Sequence, residues 1–223
     1  MPTPNATFPF YAQAAYGDNF DRGSENPITG PWKAFTGLTS MRVVSNVLAP
    51  STTLYTGAYL NQDFDDCELT IAVNPHVADH ATYLKARLSA SADPLPDGTG
   101  QNGYQATHSE LNNLEFIIYK IVNGVTTSLG SAFGGALASG DRLLFGCYGS
   151  TLEAWDRISG TWTRRLQIVD TTFKRGKVGM VLGPEATDVA RYDNLLVGGV
   201  DLSAVAGTPS PDNSRLIARR DYP

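Results

Sequence analysis

Short runs in which apolar and polar residues alternate recur along most of this chain. In TWTRRLQIV (161–169) Trp162, Leu166 and Ile168 share one face and Thr163, Arg165 and Gln167 the other, with Arg164 an exception on the apolar side. Leu84, Ala86, Leu88 and Ala90 oppose Tyr83, Lys85, Arg87 and Ser89 in the same way. A period of two marks strands with one face in a core and the other toward solvent. Further β-like runs are MRVVSNVLA (41–49), LYTGAYL (54–60), CELTIAV (67–73), LEFIIYKIV (114–122), RLLFGCYG (142–149), TLEAWDR (151–157), KVGMVLG (177–183) and ARYDNLLVG (190–198). Asn123-Gly124 has the chemistry of a type I′ hairpin, and Ser159-Gly160 marks a second hairpin with a slightly longer turn. So many antiparallel strands bury more apolar surface as two sheets than as one open sheet, so the predicted fold is all-β, a two-sheet antiparallel β-sandwich.

The ends break the pattern. Residues 1–16 combine three prolines with four aromatics and show neither period, and 207–223 likewise carry three prolines. The expected organisation is an extended N-terminal arm (1–16), a sandwich domain (17–200) and an extended C-terminal tail (201–223). Composition narrows the rest. Charged residues are only 17%, with 22 Gly and 13 Pro, which disfavours long surface helices. A net charge of -5 leaves no polybasic surface to neutralise phosphates, so nucleic acid is not an expected partner. No apolar stretch approaches the roughly 18 residues that span a bilayer, and the N-terminus lacks a charged segment followed by an apolar one, so neither membrane nor export is expected. Cys67 and Cys147 are too few for a disulfide framework, and each sits in a strand-like run where a small buried hydrophobe, not a bridge, is the usual role. Asn5-Ala6-Thr7 is the only glycosylation-type triplet and reads as a chance match.

The order of segments resembles a known family. Asp18-Asn19-Phe20-Asp21-Arg22, Gly30-Pro31-Trp32, LYTGAYL and Gly103-Tyr104 are similar to the opening of concanavalin A-like, laminin-G-like jelly-roll domains. The likeness continues through IYKIVNGVTTSLGSA, GDRLLFGCYGSTLEAW and DTTFKRGKVGM to RYDNLLVG, covering residues 18 to about 198. Its most specific part is a D-x-x-F-x-x-G-x-V-G run (170–179) followed by a [FY]-D-[ND] strand. The resemblance implies a jelly roll that binds carbohydrate or serves as an adhesion or packing module, as in many bacteriophage virion proteins. It also implies that the first and last strands lie side by side, with Phe20 and Leu195 in the core. Gly176 and Gly179 would there serve positive φ or close backbone approach.

Candidate chemistry is sparse. Catalytic members of the broader fold carry clustered carboxylates, typically E-x-D-x-x-E, and no such run occurs. The nearest, Asp63-Phe64-Asp65-Asp66-Cys67-Glu68, reads as a solvated turn leading into a strand. Gly98-Thr99-Gly100-Gln101-Asn102-Gly103 matches a dinucleotide fingerprint by letter only, having no strand before it, and His76 and His80 lack further ligands. No cofactor is expected. Calcium is the one cation that Asp18, Asp21 and Asp193 would take if the terminal strands pair. Candidate sugar-binding residues, as outward aromatic and polar groups, are Tyr83, Arg87, Tyr104, His108 and Trp155. Partner-binding residues are assigned to the ends: Phe8, Phe10 and Tyr11, and Arg215, Arg219, Arg220 and Tyr222. The leading expectation is a noncatalytic virion structural protein of a bacteriophage, decorating capsid or tail, bound to other virion proteins and to copies of itself, with adhesion to a cell-surface glycan as its use. The alternatives are a freestanding lectin, cytoplasmic or extracellular, and a glycan hydrolase.

Overall fold

The computed structural model describes residues 14–51, 55–73, 81–89, 101–109, 114–183 and 192–201. Among them there is no helix and there are fourteen strands. They are β1 (Ala14–Asp18), β2 (Trp32–Ala34), β3 (Arg42–Val44), β4 (Val47–Ala49), β5 (Thr56–Val73), β6 (Ala81–Leu88) and β7 (Gly103–Ser109). The chain continues with β8 (Glu115–Val122), β9 (Val125–Phe133), β10 (Arg142–Tyr148), β11 (Thr151–Ile158), β12 (Thr161–Val169), β13 (Gly176–Leu182) and β14 (Tyr192–Asp201). The first strand thus begins inside the stretch expected to be an arm. Residues 1–13 and 202–223, with every residue assigned to partner binding, lie outside the described residues, as do His76 and His80.

One long strand makes two layers. Residues 56–60 of the run 54–60 and the run 67–73, expected as separate strands, belong to the single strand β5. Its first half pairs with β2 and β13, and its second half with β10 and β14. One layer therefore runs β12-β11-β10-β5-β14-β1, with the β3–β4 hairpin on β14, and the other runs β2-β5-β13-β6-β7-β8-β9. The layers face each other, since β12 touches β9 and β8, and β10 touches β6. Strands that cross between packed sheets do so at bends, and the register of β5 shifts at residues 60–67 against both β13 and β14. Asp63, Asp65 and Asp66 sit within that bend, inside the strand, and not in a turn before it.

The interior is one apolar cluster fed by both layers. Leu69 and Ile71 of β5, Leu143 and Phe145 of β10 and Leu195 and Val197 of β14 meet Val178, Met180, Leu84, Ala106 and Ile118 from the other layer. As expected, β1 lies beside β14, with Asp18 opposite Leu195, and Phe20 and Leu195 are fully buried in this cluster. Asn123-Gly124 joins β8 to β9 with positive φ at both residues (51° and 82°), the expected hairpin. Ser159-Gly160 is an equally short two-residue turn, and Ser45-Asn46, read in sequence as strand interior, is another.

Two expected alternations are interrupted by bulges. In β12 the register slips opposite Ala154/Trp155, so Trp162 joins Leu144 and Trp155 on the outside of its layer while Leu166 and Ile168 pack on the main core. A one-residue bulge flips the face of every later side chain, which explains why Arg164 looked misplaced: it shares the outer face with Trp162. In β6 the register against β13 slips between Lys85 and Leu88, and Arg87 takes φ of 53°.

Candidate functional site

The bulge in β6 turns Arg87 inward. Its side chain is 1% exposed and donates to the carbonyls of Asp65 (2.9 Å), Gly149 (2.7 Å) and Phe173 (2.9 Å) and to the Asp66 carboxylate (3.2 Å). One cation thus ties the β5 bend, the β10–β11 turn and the loop before β13. The two neighbouring strands make room with glycine: a β-carbon at Gly176 would stand 2.4 Å from the Leu88 carbonyl oxygen, and one at Gly103 3.0 Å from that of Ala86. Both glycines have positive φ, 151° and 146°.

Tyr104 joins the same closure from inside the core. Its hydroxyl donates to Asp170 Oδ1 (2.6 Å) and accepts from the Phe173 amide (3.0 Å), and its ring meets Phe173 edge-on at 5.3 Å. Asp170 also accepts from Lys120 Nζ (2.9 Å) and the Thr172 amide (2.8 Å). Burial raises the Asp170 carboxyl, but the hydrogen bonds from Thr172, Tyr104 and Lys120 outweigh it and hold it well below the usual carboxylate range. Burial and the bond to Asp170 push Tyr104 up to about 12. The D-x-x-F-x-x-G-x-V-G run is therefore a structural clasp: Asp170 and Phe173 hold Tyr104, and Gly176 admits the Arg87 bulge.

The five residues expected to bind sugar do not form one site. Arg87 and Tyr104 are spent on this closure. His108 is inward, 1% exposed, with its ring edge-on to Phe116 at 4.8 Å. The expectation that these three point outward is corrected, because the β6 bulge reverses Arg87 and the β7 register puts Tyr104 and His108 on the face of Ala106, toward the core. Trp155 is outside the β12–β11–β10 layer, where its indole donates to Glu153 Oε2 (3.0 Å). Arg164 and Gln167 occupy the other Glu153 oxygen (3.1 and 2.9 Å), and Arg164 lies 5.6 Å over the Trp155 ring. Tyr83 alone is on the outer face of the opposite layer, half-buried, edge-on to Tyr55 at 5.9 Å.

On that outer face one buried acceptor is left unpaired. Across β5, β13, β6, β7 and β8 the register aligns Tyr59, Gly179, Lys85, Gln105 and Tyr119 in one row, and Gly57, Val181, Tyr83, Thr107 and Ile117 in the next. Gly57 and Gly179 have no side chain, and the Phe35 ring fills their place, packed on Tyr59 at 5.1 Å. Lys85 and Gln105 are each 1% exposed. Lys85 Nζ reaches Gln101 Oε1 at 3.4 Å, and Gln105 Nε2 donates to Thr107 Oγ1 at 2.9 Å. Gln105 Oε1, equally buried, meets no hydrogen-bond donor among the described residues. Buried amide oxygens are ordinarily paired, so this one keeps the capacity to accept one more hydrogen bond. Burial, with the nearby Glu115 charge, pushes Tyr119 upward, keeping its hydroxyl neutral. Lys85 was visible in sequence as outward, but Gln105 was not, because 103–109 was not recognised as a strand.

The three aspartates expected to take calcium do not fit one. Asp18 accepts from Arg22 Nη1 (2.6 Å), the Phe20 amide (2.9 Å), Trp32 Nε1 (3.1 Å), Arg22 Nη2 (3.2 Å) and the Tyr16 hydroxyl (3.2 Å), which exhausts its oxygens. Asp193 Oδ1 accepts the Asn194 amide at 2.6 Å, and Asp21 is exposed. Among the described residues no three acidic, histidine or cysteine side chains are grouped to hold a metal. No helix among them is long and apolar enough to cross a membrane.

No protein-family model and no curated protein matches the chain. Solved structures do. The lumenal domain of VIP36 in a form bound to Ca2+ and Man2 aligns over 88% of this chain and 90% of its own, with a TM-score of 0.62 at 11% identity. A Bacillus subtilis protein of unknown function with a galectin-like fold covers 86% and 98%, TM-score 0.62 at 10% identity. The carbohydrate-binding module CBM66 from Bacillus subtilis covers 76% and 96%, TM-score 0.56 at 12% identity. At these identities the likeness shows a lectin-like jelly-roll fold, in agreement with the concanavalin A-like resemblance of the sequence.

Proposed function

We propose that this chain is a noncatalytic carbohydrate-binding module whose site is the outer face of the β2-β5-β13-β6-β7-β8-β9 layer. The observation that carries the reading is the row Lys85–Gln105–Tyr119, with a buried amide oxygen awaiting a donor, beside the aromatic margin of Tyr59, Phe35, Tyr83 and Tyr55. Sugars present hydroxyl donors and acceptors on one edge and apolar C–H faces on the other, and this surface offers both complements. Gln105 Oε1 would accept a hydroxyl proton once the groups that cover it move aside, and half-buried Tyr83 would meet a C–H face. That the VIP36 structure is of a Man2-bound form and that CBM66 is named a carbohydrate-binding module support the class of ligand. Absence of a pair of free acids on this row supports the noncatalytic part of the reading.

The test is a glycan array, followed by calorimetric titration of mannose oligomers and of the best array ligand, on wild type and Gln105→Leu. Binding lost at least tenfold in a variant with unchanged circular dichroism is the expected result. Full affinity in the variant, or no binding by wild type to any glycan, overturns the reading. Repeating the titration in calcium and in EDTA reports whether residues other than Asp18, Asp21 and Asp193 hold a cation. The setting we propose for this activity is a bacteriophage virion, with other virion proteins and further copies of the chain as partners through the arm (1–16) and the tail (201–223); the sequence resemblance and the aperiodic ends support it, and a freestanding lectin fits the fold equally well. Quantitative mass spectrometry of purified particles separates them by copy number.

A further inference from the structure

Cys67 and Cys147 were read from sequence as two separate small hydrophobes, but the sheet places them face to face. They are directly opposed in the β5–β10 ladder, both point into the main core, both are fully buried, and the two thiols are within hydrogen-bonding reach of each other. Directly opposed residues of antiparallel strands have Cα atoms about 4.5–5.5 Å apart, inside the roughly 4.4–6.8 Å that a disulfide spans. The spacing set by the ladder is thus compatible with a bridge.

We propose that Cys67 and Cys147 form a cross-strand disulfide when the chain folds in an oxidising compartment. A low-molecular-weight disulfide such as oxidised glutathione is the oxidant. One cysteine, as thiolate, attacks it to give a mixed disulfide and release one glutathione thiolate. The second cysteine displaces the remaining glutathione and closes the bridge, so two protein thiols and one glutathione disulfide become one protein disulfide and two glutathione thiols. The hydrogen bond with Cys147, and then burial, push the Cys67 thiol upward, so the folded, reduced pair is a poor nucleophile. The bridge therefore forms while the β5–β10 ladder is closing and persists once covered. Its position is mechanically useful: Asp66, which precedes Cys67, and Gly149, two residues after Cys147, are both bound to Arg87, so the bond would lock the layer-crossing bend to the β10–β11 turn. The loop it closes spans about 80 residues, long enough for a large stabilisation through the unfolded state.

The experiment is to refold the reduced, urea-unfolded full chain in mixed oxidised and reduced glutathione, then denature it, alkylate it with iodoacetamide and weigh it. The expected product is monomeric, unalkylated and lighter than the reduced chain by two hydrogens, with a peptide map joining the Cys67 and Cys147 fragments. Its thermal midpoint should fall by about 10 °C on adding dithiothreitol. A Cys67→Ala/Cys147→Ala variant should show no response to dithiothreitol. Two alkylated cysteines in a chain of native circular dichroism, or a bridge only between chains, would falsify the proposal. Where refolding is incomplete, the same masses read on chain exported to a bacterial periplasm decide between these outcomes.

Discussion

Lys85 and Arg87 stand two residues apart on β6, each 1% exposed, yet they belong to different kinds of region. Arg87 lies in a closure where donors and acceptors match: it donates to three carbonyls and a carboxylate, while nearby Asp170 gathers Tyr104, Lys120 and the Thr172 amide. Lys85 lies in a row where its neighbour Gln105 keeps an oxygen unbonded although buried. Burial alone therefore does not separate the two, and the hydrogen-bond account distinguishes Gln105 from Arg87, although among the described residues Thr56, Thr70 and Asp156 also keep a buried oxygen unpaired. A matched network holds the fold, and a buried group left unmatched on an outer sheet face is paid for by what it can bind.

The largest effect should come from breaking the matched region. Arg87→Met removes four interactions and leaves three carbonyls and the Asp66 carboxylate underserved, a loss of about 3–5 kcal/mol, which for a chain of this size lowers the thermal midpoint by roughly 10 °C. Scanning calorimetry checks it. A change under about 1 kcal/mol would mean that the closure is decoration and would erase the contrast with the Lys85 row.

Acid should act on the same region next. The Asp170 carboxyl is held below its ordinary value in the folded chain, so its contribution is fully present above the unfolded value of 3.8 and is lost as pH falls through the folded one. Tyr104 has the opposite sign: its folded value near 12 exceeds the unfolded 10.0, so its contribution is present below pH 10 and fades as pH rises toward 12. Urea midpoints measured downward from pH 5 should decline less steeply for Asp170→Asn, which itself should cost about 1.5–3 kcal/mol at neutral pH. An acid limb identical in wild type and variant would assign the loss to other carboxylates.

In the unmatched region stability and binding should part company. Gln105→Leu gives up one bond to Thr107 but also removes the unpaired oxygen, so folding stability should move by less than about 1 kcal/mol while glycan affinity falls at least tenfold. Were Gln105→Leu to destabilise the fold as strongly as Arg87→Met, the row would be structural after all.

How much of this was legible depends on what each signal encodes. Alternation and Asn-Gly or Ser-Gly turns revealed most strands and two hairpins, and the pairing of Asp18 with Leu195 agreed with the family likeness. Alternation failed at Arg87 and within Thr161–Val169, because a bulge is a property of two strands in register and leaves no mark in one. The β5 bend failed for a related reason: Asn61–Asp66 has the polar composition of a turn, and only the two partners of each half show it to be continuous strand. Gly103–Ser109 escaped notice since Gln105, Thr107 and Ser109 face outward and Tyr104, Ala106 and His108 include only one strongly apolar small residue. The candidate site was thereby half seen, Lys85 and Tyr83 without Gln105.

The smallest expected effect tests the comparison from the other side of the molecule. Outside the β12–β11–β10 layer Glu153 accepts from Trp155 on one oxygen and from Arg164 and Gln167 on the other, so this aromatic and charged patch, which in composition looks as suitable for a sugar as the Lys85 row, is already matched. Arg164 is exposed, its side chain 37% accessible, and Gln167 remains on the shared oxygen when it is removed. Arg164→Ala should therefore cost only about 0.5–1 kcal/mol, a partly screened ion pair with a cation–π contact to Trp155, and should leave glycan affinity unchanged. Retained folding with abolished binding would place the saccharide on the Trp155 face, and a matched network would then no longer distinguish scaffold from site in this protein.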